Sequence, residues 1–175
     1  MTIAVRQAER GDAWALAEVH TSAWLAAYRG LMSDEFLDGI SIEKWAARWT
    51  ENLNRDELPP VRVAMRDGAI AGFCTVATPS RDEDTGDEFA EVVALNVSPD
   101  AWRSGVGTAL MTDVLDRFRR DGWKVASLWV VDGNDRAQSF YRRLGFEFDG
   151  ASITDPEDGA TELRMRLPLS AVVAE

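Results

Sequence analysis

The sequence predicts a mixed α/β (α+β) fold, a mixed sheet covered by helices on both faces, and three observations lead there. Strand-like runs cluster towards the two ends of the chain with helical runs between them, the pattern of a sheet that must bury both faces. Asp67-Gly68 separates two strand-like runs, Val61–Arg66 and Ala69–Ala77, and that dipeptide suits a type I′ hairpin turn. Val92–Val97, apolar apart from Asn96, reads as a buried strand; Pro99 ends it, and Gly105 and Gly107 then open a helical pattern. With 175 residues and no internal repeat, linker or low-complexity tract, residues 1–175 read as one domain.

The elements follow in order. Ile3 and Val5 alternate with polar neighbours as a first strand, and Gly11-Asp12 opens a helix with Asp12 as its expected N-cap. Leu16, Val19, Ala23 and Ala27 recur at helical spacing up to Gly30, and a second helix runs from Ser41 to Leu53 until Pro59-Pro60 breaks it. The hairpin comes next, then an acidic, turn-rich loop from Arg81 to Glu88 and the strand that Glu91 begins. The helix after the glycine turn carries Leu110, Val114 and Phe118 on one face, with Met111 and Leu115 beside them, and Gly122 stops it. Val125–Val131 is a β-branched strand. Asn134 caps a short helix bearing Ala137, Phe140, Tyr141 and Leu144, and Gly145 occupies its left-handed end. Phe146–Ile153 and Thr161–Leu167 close the sheet around the turn Pro156–Gly159.

Composition excludes several classes of function. A net charge of −11 leaves no basic stripe for nucleic acid, and no apolar run approaches the roughly 20 residues of a membrane helix. One cysteine and one histidine give neither a disulfide nor a metal cluster. No signal-peptide pattern opens the chain, so a cytoplasmic setting is expected. The acid excess would suit a cationic acceptor, or serve solubility alone. The apolar stretch Leu169–Ala174 offers a surface for a homodimer.

A strand that turns through glycines into a helix aims backbone N–H groups and the helix dipole at one point, where a phosphate binds. Two phosphate motifs fail here. No lysine follows the glycines, as a P-loop requires, and Gly105-Val-Gly-Thr-Ala-Leu110 ends in leucine where a dinucleotide fingerprint needs glycine. The segment Trp102-Arg103-Ser104-Gly105-Val106-Gly107 instead resembles the [QR]-x-x-G-x-[GA] signature of the GNAT superfamily of acyl-CoA-dependent N-acetyltransferases, departing from it at Trp102. Asn134-Asp-Arg-Ala137, Phe140-Tyr141 and Gly145-Phe146 resemble the family's second segment, at the family's usual distance.

The resemblance implies that family's single-domain fold, with a twisted, mostly antiparallel sheet of about six to seven strands. It implies direct transfer of an acetyl group from acetyl-CoA to an amine, small-molecule or peptide, with no metal. Residue by residue, Arg103, Ser104, Gly105, Val106, Gly107 and Thr108 would hold the coenzyme A pyrophosphate. Leu95 and Val97 would offer backbone groups to the pantetheine arm and the acetyl oxygen, in a strand that splays from its neighbour; Asn134 is either a helix cap or a donor contact. Tyr141 would be the general acid and Glu91 the general base; a phenol of reference pKa about 10 suits a departing thiolate. Trp24, Tyr28, Trp45 and Trp49 are candidate walls of the acceptor pocket, and His20 is a further candidate base. A non-catalytic coenzyme A-binding module, or transfer of another acyl group, is the competing reading.

Overall fold

The computed structural model describes residues 2–55 and 60–170. Strand β1 (Ile3–Gln7) leads into α1 (Ala13–Tyr28), α2 (Asp34–Asp38) and α3 (Ile42–Leu53). The hairpin β2 (Val61–Arg66) and β3 (Ala69–Ala77) follows, then β4 (Phe89–Val97), α4 (Val106–Arg120), β5 (Val125–Val131), α5 (Asp135–Arg143), β6 (Glu147–Thr154) and β7 (Thr161–Pro168). The strands form one seven-stranded sheet in the order β1-β2-β3-β4-β5-β7-β6. All neighbours are antiparallel except β4 and β5, which run parallel and are joined by α4.

Local chemistry explains the joints. Asp67 (φ 52°) and Gly68 (φ 91°) are both left-handed, as a type I′ turn requires. Ser41 caps α3 by accepting the Lys44 N–H at 3.2 Å. On one sheet face Leu110, Met111, Val114 and Phe118 of α4 meet Cys74, Val92, Leu128 and Met165. On the other, Leu16 and Val19 of α1 and Trp49 and Leu53 of α3 bury Val61, Val63 and Phe73.

Three features differ from the sequence reading. Asp12 does not cap α1 through its side chain; its carboxylate turns back to the Glu9 N–H at 2.7 Å and to the Arg6 guanidinium. Helix α2 was not anticipated, since five residues carry too little periodicity to read. Strand β4 starts at Phe89, so Glu91 lies within the ladder, opposite Ala77 and Ser127. Pro59 and residues 171–174 of the apolar stretch lie outside the described residues, whereas Leu169 packs against the main core.

Candidate active site

The site originates where the parallel pair comes apart. Strands β4 and β5 are in register only from Phe89↔Val125 to Val92↔Leu128. Beyond that point Ala94–Val97 pair with β3 alone, and Trp129–Val131 pair with β7 alone. A bulge between Thr75 and Val76 bends the β3–β4 ladder at this level, as bulges do. Between the diverging strands lies a cavity of about 540 Å³, floored by Val92–Val97 and walled by α1, the glycine turn and α5.

The glycine turn forms one end. Gly105 caps α4 in the left-handed conformation (φ 93°) with no side-chain hydrogen bond, so the first N–H groups of this 15-residue helix are left for a ligand. Arg103 is also left-handed (φ 59°), a conformation that costs a non-glycine residue about 1 kcal/mol or more and points to a functional constraint. Arg103, Gly105, Gly107 and Thr108 line the cavity. Ser104 and Val106 stand behind its wall: the Ser104 hydroxyl donates to the Ala101 carbonyl at 2.7 Å, and the Val106 side chain is fully buried in the core.

Trp102, the departure from the signature, has a defined structural role. Its indole N–H donates to the Val97 carbonyl at 2.8 Å, and the Arg136 guanidinium lies 3.3 Å from its ring centroid. Stacking of this kind holds a cation flat in the wall without neutralising it. Arg103, Arg136 and Arg143 all line the cavity, and none has a carboxylate partner among the described residues, whereas Arg6, Arg62, Arg81 and Arg164 do. In a chain of net charge −11, this concentration of unpaired cations marks an anion site. The sequence reading missed Arg136; its position in the first turn of α5, after the Asn134 cap, was the available signal.

Leu95, Val97, Asn134, Tyr141, Trp24 and Tyr28, from three separate chain segments, all reach the cavity. Asn134 caps α5 by accepting the Ala137 N–H at 3.2 Å. Tyr141 is 7% exposed, and burial pushes its phenol well above the usual tyrosine range, with Tyr28 and Cys74 adding to the shift and Arg136 opposing it. It therefore stays protonated at neutral pH, as a proton donor must. Tyr28 is pushed up to about 12, chiefly by burial and then by the nearby Glu162.

Glu91 and His20 lie elsewhere. Glu91 is not in the cavity wall; its carboxylate accepts three hydrogen bonds from Arg81, from the backbone N–H at 3.0 Å, Nε at 3.1 Å and the terminal nitrogen at 2.7 Å. Burial alone would raise its pKa, but the Arg81 donors outweigh it and hold the carboxyl below the usual range. His20 stacks on Trp45 with ring centroids 3.7 Å apart and touches Trp24 and Phe73. Neither ring nitrogen has a partner among the described residues, and burial, then Arg48, lowers its pKa to about 4. Trp45 and Trp49 are likewise outside the wall.

The far end of the cavity holds two residues that sequence reasoning missed, Trp129 and Glu162. Glu162 on β7 faces Val131 across the ladder, which places it diagonal to Trp129 on the same sheet face. The Trp129 indole N–H is fixed by both carboxylate oxygens of Asp82, each at 3.1 Å, and Asp82 in turn meets Arg164. No residue beside Trp129 or Glu162 in the chain signals a site; only the strand order brings them to α1. Among the described residues, no group of three or more His, Cys, Asp or Glu side chains could hold a metal, and no helix is long and apolar enough to cross a membrane.

Comparison with known proteins accords with this geometry. Among solved structures, the PaiA N-acetyltransferase of Thermoplasma acidophilum, in complex with coenzyme A, superposes with a TM-score of 0.77 at 23% identity, covering 96% of this chain and 99% of that one. A phosphinothricin acetyltransferase of Sinorhizobium meliloti, in complex with acetyl-CoA, gives 0.71 at 20% identity, covering 100% and 93%. At such identities these establish the shared fold. By sequence, the chain is 36% identical over 84 residues to a mycothiol acetyltransferase of Sanguibacter keddieii, covering 48% of this chain and 27% of that protein. It is 32% identical over 126 residues to an uncharacterized N-acetyltransferase of Methanocaldococcus jannaschii, covering 71% of this chain and 53% of that protein. The chain thus spans from a quarter to about half the length of these two relatives. The model of the acetyltransferase (GNAT) family matches residues 15–146, a span that takes in the splayed strands, the glycine turn and the Tyr141 helix, and the chain belongs to that family.

Proposed function

We propose that this protein is an N-acetyltransferase that moves an acetyl group directly from acetyl-CoA to an amine. One observation supports the reading: an uncapped helix start and a buried, protonated Tyr141 stand in the wall of the same cavity, along the unpaired edge of β4. In this reading the pyrophosphate of acetyl-CoA rests on the N–H groups of the Gly105–Thr108 turn, with Arg103 and Arg136 beside it. The pantetheine arm extends along Leu95–Val97 as an added strand would. The acceptor nitrogen, with its lone pair free, attacks the thioester carbon; a β4 backbone N–H stabilises the oxygen as it gains charge. The carbon–sulfur bond then breaks, Tyr141 gives its proton to the departing sulfur, and the new amide nitrogen loses its proton towards the solvent side of the cavity.

The part given to Glu91 changes. Its carboxylate is committed to Arg81 and stands outside the wall, so we assign it to anchoring the acidic loop rather than to removing the amine's proton. Association of two copies, and a cytoplasmic setting suited to the buried lone thiol of Cys74, complete the proposal.

The test is a panel of amines supplied with acetyl-CoA, read as release of free thiol. Turnover on at least one amine supports the proposal; tight coenzyme A binding with no turnover on any would leave a binding module instead. Tyr141→Phe is expected to lower kcat by about 10²–10⁴ while leaving the coenzyme A affinity within about twofold. An unchanged kcat removes Tyr141 from the acid role.

A further inference from the structure

The acceptor end of the cavity has a composition of its own. Trp24 and Tyr28 project from α1, with ring centroids 5.3 Å apart in an edge-to-face arrangement. Trp129 lines the same cavity from β5, its indole N–H held by Asp82 and its ring 5.4 Å from the Arg164 guanidinium. Glu162 is the one carboxylate in the wall, and it has neither a hydrogen bond nor an ion pair among the described residues. It contrasts with Glu91, which is saturated by Arg81, and with Asp82, which is taken by Trp129 and Arg164. The three unpaired arginines of the wall lie on the glycine turn and α5, and none lies on α1, β5 or β7, the elements that carry these three rings and Glu162.

We infer that the acceptor is an alkyl amine that enters protonated, gives up one N–H proton to solvent before its lone pair attacks, and bears no carboxylate next to its nitrogen, with Glu162 as its counter-ion and the rings of Trp24, Tyr28 and Trp129 around its cationic head. Aromatic faces and edges attract an ammonium, and a desolvated carboxylate among them fixes where it stops. The same arrangement rejects an amino acid, because a second carboxylate would approach Glu162, with Asp158 and Asp155 close enough to act on it as well. Glu162 is thus a specificity-determining residue for the proposed acetyl transfer, and the inference rests on that reading.

Burial, followed by Asp158 and Asp155, pushes the Glu162 carboxyl above the ordinary range; Glu91 acts in the same sense and Arg81 against it. Tyr28 also faces this end and stays protonated near neutral pH; Arg136, stacked on Trp102, acts on Tyr28 from the α5 side, and the pKa of His20, lowered to about 4, keeps it neutral there. Cation binding should therefore weaken as pH falls from neutral, earlier than an ordinary carboxylate would allow.

The experiment uses the full chain saturated with coenzyme A, titrated by calorimetry with 2-phenylethylamine and with L-phenylalanine, which differ by one carboxylate. Saturable binding of phenylethylamine is expected, with phenylalanine weaker by about tenfold or more. Glu162→Gln should weaken phenylethylamine by about tenfold and remove its loss of binding on acidification, with coenzyme A affinity unchanged as the check on folding. Equal binding of the two probes, an unaffected Glu162→Gln protein, or no saturable binding of phenylethylamine overturns the inference while leaving acetyl transfer in place. Failure of coenzyme A itself to bind overturns the proposed function and takes the inference with it.

Discussion

At the scale of single residues, burial without partners is the recurring theme. His20 is neutral in the fold at any pH above about 4, whereas an unfolded chain protonates it near 6.5. The unfolded state therefore binds the extra proton between those limits, and stability is lost as pH falls through that window. The loss amounts to about 2 kcal/mol at pH 5 relative to pH 7. The gap in unfolding free energy between the wild type and His20→Phe should shift by that amount in favour of the variant when denaturation at pH 7 and pH 5 is compared. A constant gap would mean that the ring is solvated. Arg164 presents the opposite case, a buried cation meeting Asp82, Asp84 and Asp149. Arg164→Leu leaves the Asp149 carboxylate, whose side chain is 4% exposed, without its partner, and should cost about 3–5 kcal/mol in urea unfolding. A cost below about 1 kcal/mol would show that Asp149 finds solvent.

At the scale of elements, the start of α4 separates two roles of glycine. Gly105 is left-handed, so Gly105→Ala should destabilise by about 1 kcal/mol, as positive φ demands of a residue with a Cβ. Gly107 is ordinary helix, and an added Cβ would stand 3.4 Å from Phe140, a normal contact. Gly107→Ala should thus leave stability unchanged or raise it by about 0.5–1 kcal/mol through helix propensity. Gly107→Glu should weaken coenzyme A binding sharply, since it sets bulk and negative charge in the cavity wall; unaltered affinity would place the pyrophosphate elsewhere.

This element also shows why one half of the site was legible in the sequence and the other was not. The half around the glycine turn and α5 depends on backbone conformation within short segments, where glycine, proline and a capping asparagine leave direct signs. Gly105, Gly107, Asn134 and Tyr141 could be read for that reason. The half around Trp129 and Glu162 is assembled by topology. Glu162 reaches the cavity because β7 inserts between β5 and β6, an order that no local pattern encodes. Trp129 reads as core in an apolar strand, and Glu91 read as a base because its partner Arg81 comes from a loop ten residues earlier. The seven strands and their main boundaries followed from alternation and turns, whereas α2 was too short to leave a period.

At the scale of the whole molecule, charge is distributed unevenly for a purpose. A net charge of −11 repels itself at long range, while unpaired arginines gather in the cavity wall. Raising NaCl from about 0.01 to 0.5 M should screen that repulsion and raise the melting temperature. A falling melting temperature would mean that exposed ion pairs outweigh net repulsion.

The separation of β4 from β5 has one more consequence. An unpaired strand edge is a template on which foreign chains add and aggregate, and sheets usually blunt theirs with charge or proline. Here the fold keeps such an edge at Ala94–Val97 but places it indoors, behind α1 and α5. The helices of the wall narrow the approach of another polypeptide to that edge. A single slender chain with amides of its own can stack there, so the same walls that guard the protein against association also choose what it binds.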